Sequence, residues 1–163
     1  MADAIDPELL ERMRRGVPLR LSAGGSWSFG DDPVTHAGLA RTLTQSIDVS
    51  DGGETIVRLG QQFCYVTIDD TALRVVAVHA DGDGTVWLRL DDEREVALDP
   101  STLVEDRQLG LRCEVPSAGL GRPLAARFGN RAQADLAQWV VWRDGAARPT
   151  FAHGGHTVVI PER

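Results

Sequence analysis

The chain has 163 residues, a formal net charge of −7 and a hydrophobic fraction of 42%. All 17 of its basic residues are arginine, which excludes chemistries that need a lysine amine, among them Schiff-base catalysis, the P-loop and the protein-kinase active site. The excess of acidic residues argues against binding to nucleic acid or to an anionic membrane, because both depend on clustered cationic side chains.

The N-terminal segment 1–16 has no apolar core, so we do not expect it to be a signal peptide. It predicts a helix instead, with Asp6 as N-cap, Pro7 in the first turn and Gly16 just beyond the last turn. The apolar edge of this helix is formed by Leu9, Leu10 and Met13. Its charged side chains are predicted to face water: Glu8, Glu11, Arg12 and Arg15.

Short strands and a second helix follow in the first half of the chain. Residues 19–22 and 26–29 predict two strands around a glycine turn, and Thr35 is a candidate cap for a helix over 36–46. Alternating or turn-bounded apolar segments then predict an antiparallel meander of three strands over 55–59, 62–68 and 73–79.

The second half is richer in strands and begins after an Asp-Gly-Asp-Gly turn at 81–84. Four strands are predicted over 85–90, 95–98, 109–115 and 124–128. Asn130 is a candidate cap for a third helix near 130–142, with Gln133 completing a capping box. A last hairpin is predicted over 150–152 and 157–160.

These elements predict an α+β fold in two small halves with antiparallel sheets. The N-terminal domain covers 1–80, with a helix, a hairpin, a second helix and the meander, and the C-terminal domain covers 84–163. Each half contains a glycine, a tryptophan-bearing strand and an acidic turn, at 25–32 and 84–92, which suggests that the halves are related.

The cysteines and histidines favour structural roles. Cys64 and Cys113 lie on the apolar faces of predicted strands, where a thiol is usually an inert core residue. His153 and His156 have the right chemistry for zinc, but the spacing of these four residues matches no zinc motif. We therefore predict no metal and no other cofactor. No apolar run approaches the ~20 residues that span a bilayer, so we expect a cytoplasmic protein with reduced cysteines.

Several short motifs occur in an order that resembles the bacterial family DUF1285, a domain of unknown function. These motifs are residues 25–29, 33–34, 39–43, 66–70, 75–76, 110–115, 126–128 and Arg131. The resemblance covers roughly residues 19–160. It departs from the family pattern at one point, because Thr71-Ala72 stand where the family usually has a proline after the aspartate of the central hairpin.

The resemblance implies two small α+β domains that look like a duplication, the second resembling a pleckstrin-homology-like barrel. It also implies a ligand site between the domains and a role in signalling. The domain architecture, the ligand site and the signalling role are expectations that follow from the resemblance.

Three arginines lie close together in the sequence: Arg122, Arg127 and Arg131. Glycines at 119 and 121 and the predicted helix start at Asn130 lie beside them, and guanidinium groups near a helix N-terminus suit a phosphate or carboxylate. The alternative is that these arginines only pair with surface carboxylates. Asp70, in the family-like hairpin, is a candidate to orient a hydrogen-bond donor of the ligand.

The first hypothesis is a non-enzymatic ligand-binding or regulatory protein with a signalling role. It would bind a small anionic, nucleotide-like ligand between its two domains through Arg127, Arg131, Arg122 and Asp70. The alternative is a protein–protein interaction module that uses an exposed sheet edge or apolar patch and has no small-molecule pocket. A hydrolase is the third reading, and we predict no catalytic residues because no Gly-x-Ser-x-Gly motif occurs. The oligomeric state stays open.

Overall fold

The computed structural model describes residues 6–163 and divides into two compact units. The first unit comprises the described residues up to Ala72 together with Ser117–Arg122, and the second comprises Leu73–Pro116 and Pro123–Arg163. Three α-helices occur in the described part: α1 (Pro7–Gly16), α2 (Ala37–Gln45) and α3 (Asn130–Leu136). Within residues 6–163, no helix has the length and apolar character needed to cross a bilayer.

Two small sheets form the first unit. Its strands are β1 (Leu19–Leu21), β2 (Trp27–Phe29), β3 (Asp32–Pro33), β4 (Ile47–Val49), β5 (Thr55–Leu59), β6 (Gln62–Tyr65) and β7 (Thr67–Ile68). One sheet has the order β3-β2-β1-β7, antiparallel except for the parallel pair β1 and β7, and the other is the antiparallel meander β4-β5-β6. The core of this unit includes Leu19, Leu21, Trp27, Leu43, Ile47, Ile56 and Val57.

The predicted three-strand meander is wrong in its second and third members. The segment predicted as one strand over 62–68 divides after Tyr65, and its last part, β7, pairs with β1 of the other sheet. The meander is completed by β4 instead. The hydrophobic pattern identified β5 and β6 because it is local, whereas the choice of pairing partner depends on burial across the whole unit.

α1 begins as predicted and includes Gly16, but only part of its predicted apolar edge is even half-buried. The Asp6 carboxylate accepts a hydrogen bond from the backbone N–H of Glu8 at 3.1 Å, as expected of an N-cap. Leu9 and Met13 are nevertheless exposed, and two arginines of the helix contact the sheet. The guanidinium carbons of Arg14 and Arg15 lie 3.9 Å and 4.0 Å from the ring centroids of two aromatic residues of β6, Phe63 and Tyr65. Cation–π contacts thus contribute to the docking of α1, which the sequence predicted to rest on apolar packing alone.

Tyr65 can serve as a spectroscopic probe of the docking of α1, because it is the only tyrosine in the chain. Its hydroxyl donates a hydrogen bond to Glu11 at 2.7 Å, and this bond raises the pKa of Tyr65 above its ordinary value near 10. The stability that this bond contributes is complete below the ordinary pKa and is lost as the pH rises through the raised one. We expect Glu11→Gln to lower the pKa of Tyr65, measured by near-ultraviolet absorbance.

Glu8→Gln is the matched control for this titration, because Glu8 is an exposed acid on the same helix whose side chain makes no contact with Tyr65. It should leave the pKa of Tyr65 unchanged. An equal effect of the two substitutions would mean that α1 does not dock through Glu11.

The ends of the other two helices differ in detail from the prediction. His36 caps α2 in place of Thr35, and its ring nitrogen Nδ1 accepts a hydrogen bond from the backbone N–H of Leu39 at 3.1 Å. Gln133 forms no capping box, because its side-chain oxygen accepts a hydrogen bond from the backbone N–H of Leu111 at 2.9 Å. The third helix, predicted to reach residue 142, ends at Leu136 and is followed by a short 3₁₀ turn and a strand.

The second unit contains a large sheet and a small one. Its strands are β8 (Leu73–Ala80), β9 (Val86–Leu90), β10 (Glu95–Ala97), β11 (Val104–Asp106), β12 (Gly110–Pro116), β13 (Pro123–Phe128), β14 (Val140–Val141), β15 (Thr150–His153) and β16 (His156–Val159). The large sheet has the order β10-β9-β8-β13-β12-β11, antiparallel except for the pair β8 and β13, and the small sheet has the order β14-β15-β16. Its core includes Leu73, Val75, Leu88, Leu90, Leu103, Ala126, Leu136 and Phe151.

The structure confirms the predicted α+β class with mainly antiparallel sheets. None of the sheets formed by residues 6–163 closes into a barrel, because β10 and β11 are opposite edges of the large sheet. The resemblance of the second half to a pleckstrin-homology-like barrel and the relation between the halves are therefore not confirmed. Strand β8, which the sequence assigned to the N-terminal half, pairs with β9 and β13 of the second unit.

Candidate functional site

Of the four predicted ligand-binding residues, two belong to each unit. Arg122 lies in the loop Ser117–Arg122 of the first unit, where its guanidinium donates hydrogen bonds to the carbonyl of Val49 at 2.9 Å and to the carboxylate of Asp51 at 2.7 Å. Asp70 is part-buried in the turn that follows β7 of the same unit. The contacts of Arg122 anchor a loop, which is the kind of pairing that the alternative interpretation predicted.

Arg131 and Arg127 belong to the second unit. The Arg131 side chain is 89% exposed on α3 and lies 4.0 Å from Asp135, one turn along the helix. Arg127 is buried in β13 and donates a hydrogen bond to the carbonyl of Gly110 at 2.8 Å. The two arginines are four residues apart in sequence, yet one is a surface residue and the other is part of the sheet.

Arg127 is the centre of a row of three arginines that crosses the large sheet. It lies opposite Arg74 of β8 on one side and opposite Arg112 of β12 on the other. Residues that face each other in neighbouring strands project from the same face of a sheet, so the three guanidinium groups share one face. We call Arg74, Arg127 and Arg112 the arginine row.

The three members of the arginine row differ in their partners. The guanidinium of Arg74 binds the carboxylate of Asp91 at 2.9 Å, and Arg127 binds the carbonyl of Gly110. Arg112 is part-buried, and its side chain forms no hydrogen bond or ion pair with any of residues 6–163. A part-buried guanidinium without a partner is unusual, because burying a charge is costly unless that charge is paired.

A pocket of about 190 Å³ in the second unit is lined by Arg112. A second arginine, Arg163, also lines it, together with Thr102, Glu114 and Ala125. Ala125 lies opposite Glu114 and two positions before Arg127 in β13, so it is on the same face as the arginine row. Its short side chain leaves space on that face.

The polar groups of this pocket define what it can bind. Arginine suits a phosphate or carboxylate, and the carboxylate of Glu114 can accept a hydrogen bond from a hydroxyl or amino group. The hydroxyl of Thr102 is already used, because it donates to the carbonyl of Asp99 at 2.8 Å and accepts from the backbone N–H of Glu114 at 3.1 Å. The pocket can therefore recognise an anionic ligand that also carries a hydrogen-bond donor. The Thr102 hydroxyl is not available as a nucleophile, because both of its hydrogen bonds are to the backbone.

The positive charge of the arginine row extends to the neighbouring turn. The backbone N–H groups of Gln108 and Leu109 donate to Asp106 and lower the pKa of its carboxyl, and the charges of Arg127 and Arg112 lower it further. Asp106 is consequently ionised at neutral pH and balances part of the charge of the row.

Sequence reasoning missed Arg112 although it predicted the strand that carries it. Arg112 alternates with the buried residues Leu111 and Cys113, which marks it as a residue of the polar face. That alternation was available in the sequence. The position of Arg112 opposite Arg127 was not, because it depends on the register of β12 and β13.

The cysteines and histidines are placed in three different settings. Cys113 is buried, and burial raises the pKa of its thiol to about 12, which confirms its predicted place in the core. Cys64 is part-buried, and burial also raises the pKa of its thiol. The ring of His153 packs against that of Trp139 at a tilt of 36°, with 4.8 Å between centroids, and His153 lies opposite His156 in the final hairpin. No cluster of three or more metal-ligating side chains occurs within residues 6–163.

Two crystal structures of DUF1285 family proteins share this fold. The protein from Silicibacter pomeroyi DSS-3 matches with a TM-score of 0.61 and 12% identity, over 88% of this chain and 79% of its own. The protein from Shewanella baltica OS155 matches with a TM-score of 0.58 and 13% identity, over 75% of this chain and 91% of its own. No family model and no curated protein sequence matches this chain. The resemblance to DUF1285 proteins is thus confirmed at the level of the fold.

Proposed function

We propose that this protein is a non-enzymatic binding protein for a small anionic ligand, with a regulatory role in signalling. The observation that carries the proposal is part-buried Arg112, whose guanidinium makes no hydrogen bond or ion pair within residues 6–163 and which lines a pocket with Arg163. Binding of an anion would supply the pairing that this charge lacks. The proposed ligand is still a small anion bound by arginine, as the sequence predicted. The main ligand contact is now Arg112 in place of Arg131.

Arg127 supports this pocket without being its main ligand contact. It lies between Arg74 and Arg112 in the arginine row, and its bond to the carbonyl of Gly110 holds it against β12. The three neighbouring charges add to the positive potential on this face. A nucleotide-like ligand fits the remaining chemistry, because its phosphate suits the arginines and its ribose hydroxyls can donate to Glu114.

Calorimetric titration with AMP, inorganic phosphate and adenosine tests the proposal. AMP is expected to bind, and adenosine, which lacks the anion, is expected to bind much more weakly. Arg112→Gln should weaken AMP binding about tenfold or more, because hydrogen bonds to charged groups contribute about 1.5–3 kcal/mol. The free energy of unfolding should change little, because the Arg112 side chain has no partner to lose.

Two further variants locate the site. Arg89→Gln is the matched control, because Arg89 is an exposed arginine of β9 in the same sheet and does not line the pocket. It should leave AMP binding unchanged. Loss of binding in Arg131→Gln but not in Arg112→Gln would return the site to α3, and the absence of binding by both anions would contradict the proposal.

A protein–protein interaction module is the second candidate, and exposed apolar groups at a sheet edge favour it. Val141 of the edge strand β14 is 43% exposed, the following Trp142 is 65% exposed, and Val159 of the opposite edge strand β16 is 59% exposed. Unpaired edge strands with apolar side chains can accept a strand from a partner. Under this alternative, Trp142→Ser would abolish capture of the partner and leave AMP binding as it was.

The relation of the two units by duplication also belongs to this proposal. It is supported by one tryptophan in each unit. The indole N–H of Trp27 donates to Thr44 and that of Trp87 donates to Asp81, each at 2.9 Å. Both indoles thus belong to short strands and hold a neighbouring segment of the chain.

A further inference from the structure

Segment 161–163 pairs with β11 at the edge of the large sheet. The backbone N–H of Glu105 in β11 donates to the carbonyl of Pro161 at 2.8 Å, and the backbone N–H of Arg163 donates to the carbonyl of Glu105 at 3.0 Å. These two bonds set Glu162 beside Glu105 in parallel orientation. Because β11 is the neighbour of β12, the segment lies one strand beyond the strand that carries Arg112.

The two faces of this edge carry different side chains. Val104 of β11 lies opposite Arg112 of β12, so it is on the face of the arginine row. Consecutive residues of an extended segment project to opposite faces, which places Glu105 and its neighbour Glu162 on the other face. Arg163 follows Glu162 and is therefore on the face of the arginine row again. The lining of the pocket, which includes both Val104 and Arg163, agrees with this assignment.

A cluster of charged side chains holds the segment from the face away from the pocket. The guanidinium of Arg148 donates to the carboxylate of Glu162 at 2.6 Å and also to that of Glu105, and its Nε donates to the carbonyl of Ile160 at 3.1 Å. The other carboxylate oxygen of Glu162 binds Arg107. The Arg148 side chain is only 23% exposed, so its ion pairs are screened less than those of a fully solvated arginine.

We propose that Arg163 is a second ligand contact of the anion pocket, and that Glu162 and Arg148 are positioning residues that hold it there. This inference rests on the proposed function, because it assigns further residues to the same site. The Arg163 side chain is exposed and forms no hydrogen bond or ion pair within residues 6–163, so its donors are available to a ligand. A phosphate has several acceptor oxygens and can bind Arg112 and Arg163 together.

Ligand binding and the pairing of segment 161–163 with β11 are coupled under this proposal. An anion that contacts Arg163 binds more tightly when the segment is paired than when it is not, so the ligand must stabilise the pairing by the same factor. The amide of Glu105 can serve as a probe, because it loses its hydrogen bond to Pro161 when the segment leaves β11. Hydrogen exchange at this amide, measured by NMR, is expected to slow when saturating AMP is added.

Calorimetric titration of single and double variants with AMP separates positioning from the effect of charge alone. Arg163→Gln should weaken binding about three- to fivefold, the range for one exposed charged contact. Glu162→Gln should weaken binding about two- to threefold, although it removes a negative charge, and it should speed exchange at the Glu105 amide. In the Arg163→Gln background it should cause no further loss, because Glu162 acts through Arg163. Asp135→Asn is the matched control. It removes a carboxylate that lies 4.0 Å from Arg131 in the same unit and does not line the pocket, so it should not weaken binding.

Three outcomes would overturn this inference and leave the proposed anion site intact. Unchanged affinity in Arg163→Gln, beside a clear loss in Arg112→Gln, would remove Arg163 from the site. Tighter binding in Glu162→Gln would show that its charge acts at a distance and not by positioning. A further loss in the double variant would mean that Glu162 affects the pocket by a route other than Arg163. If the wild-type protein binds neither AMP nor inorganic phosphate, the proposed function itself fails and this inference fails with it.

Discussion

Gly154→Ala is expected to destabilise the second unit by about 3 kcal/mol or more, since overpacking and backbone strain add. A Cβ atom at Gly154 would overlap the backbone carbonyl of Gly84, and a Cβ at Gly84 would lie 2.8 Å from the Cα of Gly154. Neither backbone can retreat easily, because Gly84 lies in the turn before β9 and Gly154 in the hairpin between β15 and β16. The positive φ of Gly154, 59°, adds about 1 kcal/mol of strain for an alanine.

Gly155→Ala is a closely matched control for this prediction. Gly155 lies in the same turn with φ at 81°, and no atom lies within 4 Å of a Cβ placed there. Gly155→Ala should therefore lower the free energy of unfolding only by the backbone strain of its positive φ, about 1 kcal/mol. For a chain of this length we expect the thermal midpoint to fall by roughly 6–12 °C in Gly154→Ala and by roughly 2–4 °C in Gly155→Ala. Equal losses would show that the two backbones do not cross closely.

Asp48→Asn is expected to destabilise the first unit by about 3 kcal/mol. Asp48 is only 3% exposed, and its carboxylate accepts hydrogen bonds from the backbone N–H of Val49 at 2.8 Å and from Nε of Arg58 at 3.3 Å. Ser117 of the loop Ser117–Arg122 donates a further one. An amide in this position has only one acceptor oxygen, so at least one buried donor loses its partner.

The effect of Asp48 on stability should depend on pH. Burial alone would raise the pKa of this carboxyl, but the hydrogen bonds from Ser117, Val49 and Arg58 together lower it below the ordinary 3.8. Because the folded-state pKa is the lower one, the stabilisation is complete above the unfolded-state value and is lost as the pH falls through the folded-state value. The difference between wild type and Asp48→Asn in urea unfolding should be constant at pH 5–7 and shrink below about pH 4.

Asp51→Asn is the control for the charge of this region. Asp51 also binds an arginine, with 2.7 Å between its carboxylate and the guanidinium of Arg122, but its side chain is 97% exposed. Exposed ion pairs contribute about 0–1 kcal/mol, so the loss should be small and salt-dependent. A loss as large as that of Asp48→Asn would mean that burial of the carboxylate is not what makes Asp48 important.

The elements predicted best are those whose signals are local. α1 begins where Asp6 and Pro7 indicated and ends at Gly16, which was predicted to follow it, and β5 has the predicted bounds. Strands β4 and β11 were missed. Three residues are too few to show a period, and the equally short β1 and β2 were predicted from the glycine turn between them. The faces of α1 were assigned partly wrongly, with Leu9 and Met13 exposed, for a different reason. An apolar edge predicts burial only if an apolar surface is available, and α1 meets aromatic rings that also accept arginine.

The candidate sites depended on tertiary structure more than the elements did. Arg122, Arg127 and Arg131 are neighbours in sequence, but their contacts lie in a loop of the first unit, in the large sheet and on the surface of α3. Arg112 lies fifteen positions from Arg127 and directly opposite it in the sheet. Closeness in sequence therefore predicted the wrong neighbours for Arg127, because the register between adjacent strands decides which side chains lie side by side.

The sequence by itself determined that every strong cationic contact in this protein is made by a guanidinium group, since it contains no lysine. It also determined the α+β class, because helical and alternating hydrophobic periods both occur along the chain. Only the tertiary structure decided which arginines lie in a pocket, which face of α1 is buried, and that segment 161–163 pairs with β11. Composition and period are properties of short segments, whereas pairing and burial are set by contacts between residues far apart in the chain.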